Sequence, residues 1–196
     1  MANPSFGGER MIEFFYSFCD RLVRIVYTWS MRRRFAGWGP KSRIEPHAKL
    51  IAPHLVLVGR HVHICEHAWL NACDDRGDGN PTLSIGDGTY IGRFAHINAW
   101  RDVVIGNNVL IADRVFISDS EHIHTDLAIT IIRQGDTYKG AVLIHDGCWL
   151  GVGCVILPGV SIGRNAIIGA NSVVTKSVPD FAVVAGVPAK IIRQRE

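Results

Sequence analysis

Aliphatic residues return every six positions through most of the chain, most of them followed by a small residue. Ile85-Gly86, Ile91-Gly92 and Ile97-Asn98 make one run, and after a slip of two residues Ile105-Gly106, Ile111-Ala112 and Ile117-Ser118 make the next. The series resumes at Ile144, Leu150-Gly151, Ile156, Ile162-Gly163, Ile168-Gly169 and Val174-Thr175, and a weaker frame runs through Ile44, Leu50, Val58-Gly59, Ile64 and Leu70. A period of six is neither the helical repeat nor the alternation of a strand. It predicts a parallel β-helix in which each hexad is one short strand plus a corner and three hexads close a triangular coil, with the aliphatic residues inside. Residues eighteen apart then stack at the strand spacing of about 4.8 Å in columns of Val, Ile and Leu.

Residues 11–34 follow another rule. Polar Glu13, Ser17, Asp20, Arg21, Arg24, Thr28 and Arg32 recur at steps of three and four, while Ile12, Phe14, Phe15, Phe18, Leu22, Val23, Ile25, Val26, Tyr27 and Trp29 fill the remaining arc. That is an amphipathic helix. Asp20, Arg21 and Arg24 interrupt any apolar run long enough to cross a bilayer. With Arg32, Arg33 and Arg34 behind it, the helix suits an anionic membrane surface, where each basic side chain adds on the order of 1 kcal/mol. It suits equally well the cap that a repeat fold requires, or a neighbouring subunit, and both roles stay open.

Composition narrows the class. The chain has 196 residues, 47% hydrophobic and 20% charged, which fits one globular domain. The net charge of +3 is too mild to imply nucleic acid, and the surplus gathers between Arg21 and Arg43. Five cysteines without a CxxC favour a reducing, cytoplasmic compartment. Residues 1–10 contain Glu9 and no basic run before an apolar stretch, so no secretory signal is expected. His61, His63, Cys65 and His67 alternate as strand ligands do, but the hexad frame sends His61 and His67 to different faces. Residues 74–80 resemble a calcium loop, yet Arg76 stands at a ligand position and no distal Glu follows, so a polar loop is expected and no metal. Gly151 and Gly153 complete no GxGxxG.

The repeat breaks after Ile117-Ser118-Asp119-Ser120-Glu121-His122, and residues 123–143 carry no hexad. A long excursion from a regular scaffold is commonly functional. His122 opens it, with an imidazole suited to general-base work, and His124 is its rival. Asp119 and Glu121 are near enough in sequence to orient the ring, although strand alternation leaves the partner open. Cys148 and Cys154 have no adjacent histidine and read as structural.

Near the end stand Gly169-Ala170-Asn171-Ser172-Val173-Val174-Thr175-Lys176 and Ala185-Gly186-Val187-Pro188-Ala189-Lys190. With the hexads, these motifs make residues 44–193 resemble the hexapeptide-repeat acyltransferases, in particular the sugar O-acetyltransferase branch of galactoside, maltose and lipopolysaccharide acetyltransferases. The resemblance implies a left-handed coil, where the general rule for parallel crossovers would give a right-handed one. It implies acetyl-CoA as acyl donor, a sugar or glycan acceptor, a homotrimer with the donor in a groove between subunits, and His122 as base. It further implies backbone contacts to coenzyme A at Gly151 and Ala170, its nucleotide end at Thr175 and Lys176, its phosphates at Lys190 and Arg193, and Trp149 near the thioester channel. Arg93, Phe94, His96, Asn98 and Trp100 depart from the galactoside pattern before the histidine, which puts a simple free sugar in doubt.

The expectation is therefore an all-β, left-handed parallel β-helix at residues 44–179, preceded by a helix and basic linker at 1–43 and followed by a tail at 180–196. Its activity is acetyl-CoA-dependent O-acetylation in cell-surface or extracellular polysaccharide biosynthesis, in the cytoplasm or on the inner face of the membrane. The alternatives are an N-acetyltransferase on an amino sugar nucleotide or antibiotic, and a non-catalytic β-helix assembly protein.

Overall fold

Hexad aliphatics stack inside a left-handed triangular coil in the computed structural model, which describes residues 6–196 and the side chains from Phe18 onward. Residues 1–5, within the stretch read for a secretory signal, and the side chains of Ile12, Phe14 and Phe15 lie outside the described residues. Three parallel sheets form its sides. The first face runs from Gly37–Trp38 through Val56–Val58, Leu83–Ile85, Val103–Ile105 and Val142–Ile144 to Ser161–Ile162. The second holds Arg43–Ile44, His63–Ile64, Tyr90–Ile91, Leu110–Ile111, Trp149–Leu150 and Ile167–Ile168, then Ala182–Gly186 and the antiparallel Ala189–Gln194. Lys49–Ile51, Trp69–Ala72, His96–Ala99, Phe116–Ser118, Val155–Ile156 and Val173–Val174 make the third.

The second face shows why the hexad works. Ile44, Ile64, Ile91, Ile111, Leu150 and Ile168 pair in register and are fully buried, each contributing about 1.5–3 kcal/mol of transfer free energy. Two positions earlier, Ser42, Val62, Thr89, Val109, Cys148 and Ala166 form a second buried column of small or β-branched residues. Its hydroxyls bridge rungs: Ser42 Oγ donates to Gly59 O (2.6 Å) and accepts from Val62 N–H (2.9 Å). One position earlier again, Lys41, His61, Gly88, Asn108, Gly147 and Asn165 all have φ between 52° and 72°. This left-handed corner turns the chain into its next strand and favours Gly and Asn, the residues that enter it at least cost.

The predicted helix, α1 (Phe6–Met31), continues into a 3-10 turn at Arg32–Arg34 and covers the free edge of the second face. Thr28 Oγ1 donates to Ile44 O (3.0 Å) and accepts from Ile44 N–H (3.1 Å), satisfying that edge strand, and Tyr27 and Met31 pack on the core. The capping role is thus realised in the helix's last turns.

Three boundaries differ from the expected ones. The coil begins at Gly37–Trp38 rather than at 44, because its first strand carries no aliphatic and small pair. Residues 180–196 are no loose tail: Ala182–Gly186 extends the second sheet in parallel, and Ala189–Gln194 folds back over its last edge. The excursion spans 119–141, not 123–143, since Ser120–His122 already belongs to an antiparallel hairpin with Asp136–Tyr138, joined through the short helix α2 (Ile131–Gln134).

Three of the coil's insertions, at residues 73–82, 100–102 and 119–141, leave from the corner between the third and first faces on successive rungs. In the first, the Asp74 carboxylate accepts from Asp78 N–H (3.1 Å) and Gly79 N–H (3.2 Å), so the calcium-like stretch is a self-bonded turn. Arg76 reaches across to Asp102 (3.3 Å), Arg101 pairs with Asp75, and the Arg101 guanidinium lies over the Tyr138 ring (4.9 Å). The insertions brace one another and hold up the hairpin.

Candidate active site

Outward positions of the third face form a polar and aromatic ladder. Lys49, Trp69, His96 and Phe116 are in register. The Lys49 ammonium sits over the Trp69 ring (3.7 Å), Trp69 stacks parallel on His96 (4.1 Å, 2°), and His96 meets Phe116 edge-on (5.2 Å, 84°). Burial first, and then the Lys49 charge, push the His96 pKa below the ordinary histidine value, so the ring is neutral near pH 7. Beside this column Asn71 Nδ2 donates to Asn98 Oδ1 (2.6 Å), and Asn98 Nδ2 donates to Ser118 Oγ (3.3 Å) and Ser120 Oγ (3.0 Å). That network joins the coil to the root of the hairpin.

Asp119 anchors the root. It is fully buried, and its carboxylate accepts from the N–H groups of Trp100 (2.7 Å), Arg101 (2.7 Å) and Asp102 (2.8 Å). Three residues on, His122 stands opposite Asp136, with Nδ1 against the Asp136 carboxylate and 76% of its side chain exposed. Glu121 points to the other side of the strand, where it pairs with Lys139 (2.9 Å). The carboxylate at the His122 ring is therefore neither Asp119 nor Glu121, the expected candidates, but Asp136. Asp119 is consumed by backbone amides, and alternation along the strand turns Glu121 away. His124 Nδ1 bonds to His122 O (3.0 Å) and lines no part of the hollow described next.

A hollow lies between ladder and hairpin, lined by Trp69, His96, Asn98, Trp100, His122 and Asp136 among others. Trp69 Nε1 and His96 Nε2 are buried in its wall without a hydrogen-bond partner, and Trp100 Nε1 is near the Asp75 carboxylate but outside hydrogen-bonding geometry. Among the described residues these three are the only buried side-chain N or O atoms left unpaired. Each such atom costs about 1–3 kcal/mol until something bonds to it.

The other expected site residues fall into three places. Gly151 and Ala170 share the corner between the second and third faces on consecutive rungs; Gly151 N–H donates to Ile168 O (2.8 Å), and a Cβ at Gly151 would come within 2.7 Å of Ala170 N, so only glycine fits. Lys190 and Arg193 are exposed on the last strand of the second sheet, opposite Ala185 and Val183. Thr175 and Lys176 are exposed at the next corner, past Val173–Val174, and do not join Gly151 and Ala170 within one chain. Trp149 is exposed on the second face between Leu110 and Ile167, away from His122. Cys148 and Cys154 belong to the core, where burial raises their pKa values to about 11 and about 12, so neither is a nucleophile. His61 and His67 sit at separate left-handed corners, and His63 lies between Glu45 (2.7 Å) and Arg43 (2.9 Å).

A family model described as bacterial transferase hexapeptide (six repeats) matches residues 141–176. The galactoside O-acetyltransferase of Escherichia coli K12 is 36% identical over 78% of this chain and 70% of its own length. A probable acetyltransferase of Mycobacterium tuberculosis is 34% identical over 71% of this chain, which spans only 44% of that relative. Among solved structures, a galactoside acetyltransferase in complex with coenzyme A superposes with a TM-score of 0.60 at 29% identity, covering 84% of this chain and 67% of that one. AntD, an N-acyltransferase from Bacillus cereus in complex with dTDP and 3-hydroxybutyryl-CoA, gives 0.72 at 20% identity over 84% and 85%, a likeness of fold. Repeat, coil and relatives together define a hexapeptide-repeat transferase. Within that class, the chain belongs to the acetyltransferase family that includes the galactoside O-acetyltransferases.

Proposed function

We propose that the chain is an acetyl-CoA-dependent O-acetyltransferase that acetylates a hydroxyl of a sugar or glycan, with His122 as general base. The observation that carries this reading is the His122–Asp136 pair at the rim of a hollow whose wall holds the unpaired nitrogens of Trp69 and His96. Ring nitrogens left unpaired in the wall of a hollow are what the hydroxyl groups of a sugar need, since a hydroxyl can both donate and accept.

Asp136 accepts from Nδ1–H of His122, which leaves the Nε2 lone pair free to take a proton. As the acceptor hydroxyl attacks the thioester carbonyl, Nε2 removes its proton and Asp136 stabilises the imidazolium that results. When the carbon–sulfur bond breaks, the same proton passes to the departing thiolate, and His122 returns neutral. The donor supplies the activated acetyl group and no more. Coenzyme A fits the residues present: exposed Lys176, Lys190 and Arg193 suit its phosphates.

A homotrimer with the donor between subunits accounts for cations spread over separate corners. It also gives a cover to the exposed apolar columns Leu57, Val104 and Leu143 on the first face and Leu110 with Trp149 on the second. Five free cysteines, three of them buried, support a reducing compartment.

The test is release of coenzyme A thiol with a panel of hydroxyl and amine acceptors. His122→Ala is expected to lower kcat by at least about 10²-fold with coenzyme A still bound, Asp136→Asn by about 10-fold or more, and His124→Ala not at all. Full activity in His122→Ala overturns the assignment of the base. Turnover with amines alone makes it an N-acetyltransferase, and no coenzyme A binding makes it an assembly protein.

A further inference from the structure

The side of α1 that meets the coil is mixed, with Tyr27 and Met31 packed on the core beside polar groups. The polar Arg24 and Thr28 face the coil, where Arg24 reaches Glu45 (3.7 Å) and Thr28 bonds both backbone groups of Ile44. The opposite side is apolar and bare: Phe18, Leu22, Ile25, Val26 and Trp29, at helical spacings of three and four, are 51%, 45%, 56%, 61% and 58% exposed. A stripe of that size on an outward helix face calls for a covering surface. Alongside it, where α1 meets the coil, a groove is lined by Arg21, Arg24, Arg32 and Arg43 with Ile25 and Trp29, and no carboxylate lines it. The Arg33 guanidinium lies 5.9 Å from the centre of the Trp29 ring at the end of the stripe.

We propose that this side of the molecule is a membrane-surface site, in which the stripe enters the acyl boundary of an anionic leaflet and the arginine groove receives a phosphate-bearing lipid headgroup. Charge decides the occupant. A second copy laying its own stripe here would bring its arginines against these, whereas an anionic lipid surface complements them and its tails take the apolar side chains. No helix among the described residues is long and apolar enough to cross a membrane, so the contact is interfacial. The inference is independent of the acetyl-transfer reading.

Sedimentation of the full chain with vesicles of phosphatidylcholine plus phosphatidylglycerol, against phosphatidylcholine alone, tests it. The chain is expected to pellet with the mixed vesicles at low salt, to be released by high salt, and to ignore the neutral ones. The double variants Leu22→Ser with Val26→Ser, and Arg21→Gln with Arg32→Gln, should each weaken binding by about 10-fold or more while elution volume and thiol release stay unchanged. Failure of the wild type to pellet at low salt overturns the proposal. So does an oligomer broken by the leucine and valine changes with vesicle binding intact, which would make the stripe a subunit interface. If that variant does not fold, the arginine variant decides alone, and unchanged binding there overturns the proposal. Inorganic phosphate competing at concentrations that leave ionic strength fixed would show that the groove takes the free ion and not a headgroup.

Discussion

His96 and His122 wall the same hollow, but one belongs to the coil and the other to the excursion. His96 has Trp69 on one face and Phe116 at its edge, and its neighbours are set by rung height, because register pairs it with Trp69 below and Phe116 above. His122 is set by an antiparallel register that brings Asp136, fourteen residues on, to its ring while leaving most of the ring in solvent. The coil consumes a ring's faces in packing and offers only a buried nitrogen as a binding partner. The excursion leaves a ring's edge in solvent and gives it a carboxylate. On the proposed reading, the scaffold supplies recognition and departure from the scaffold supplies chemistry.

Breaking the joint between the two regions should have the largest effect. Asp119 is the joint, since its carboxylate holds three amides of the preceding rung's turn and its carbonyl accepts from Lys139 N–H (2.9 Å) on the returning hairpin strand. Asp119→Ala leaves those amides without their acceptor. Hydrogen bonds to a charged group contribute about 1.5–3 kcal/mol each and do not add fully, so a loss of about 3 kcal/mol or more in urea unfolding is expected. Amide exchange should rise across residues 119–141 while the aliphatic columns stay protected, and activity should fall further than in Asp136→Asn. Unchanged exchange in the hairpin would mean that it stands without its joint.

A milder perturbation, of pH, addresses the coil's own histidines. His63, on the second face, accepts from Arg43 at Nδ1 and donates from Nε2 to Glu45, and burial, outweighing the Glu45 hydrogen bond, lowers its pKa from 6.5. The folded state then binds fewer protons than the unfolded state below pH 6.5, so stability falls as pH drops from 6.5 through the depressed folded value. His96, shifted in the same direction, adds to the trend. Unfolding midpoints measured across this window should decline on acidification, and less steeply in His63→Gln. A slope that is unaffected by the substitution would place the titrating group elsewhere.

Much of the coil is legible because one rule governs it: an aliphatic inward, a small residue two before, a left-handed corner three before. That rule also carried readable information about the site, since Trp69 and His96 each precede a buried aliphatic by one position and so face outward in one column, separated by an insertion at 74–80. The first strand was hidden because Gly37-Trp38 follows no hexad, and its burial is supplied by Phe35 beside it. Asp136 was hidden for a deeper reason. Nothing local to His122 specifies which residue an antiparallel partner will present, and the register is fixed by α2 and by Gly135, whose φ of 81° turns the chain back. Alternation alone, however, excludes Glu121, since neighbours on a strand face opposite ways.

That exclusion yields the smallest expected effect and the cleanest control. Glu121 and Lys139 are both close to half exposed, 2.9 Å apart, and the Lys139 hydrogen bond holds the Glu121 carboxyl below its ordinary pKa. An exposed ion pair of this kind is screened by salt and loses side-chain entropy in forming, so its removal changes little. Glu121 also lines the hollow, but Lys139 holds its carboxylate; Glu121→Gln keeps the shape, deletes a charge one residue from His122, and should change thiol release far less than Asp136→Asn does while the unfolding midpoint stays at the wild-type value. Asp136→Asn, the same chemical change across the strand pair, should cost activity. If the two variants lose activity equally, the ring responds to the summed negative charge nearby and not to the carboxylate that register places against it, and the distinction between the two sides of the hairpin strand is lost.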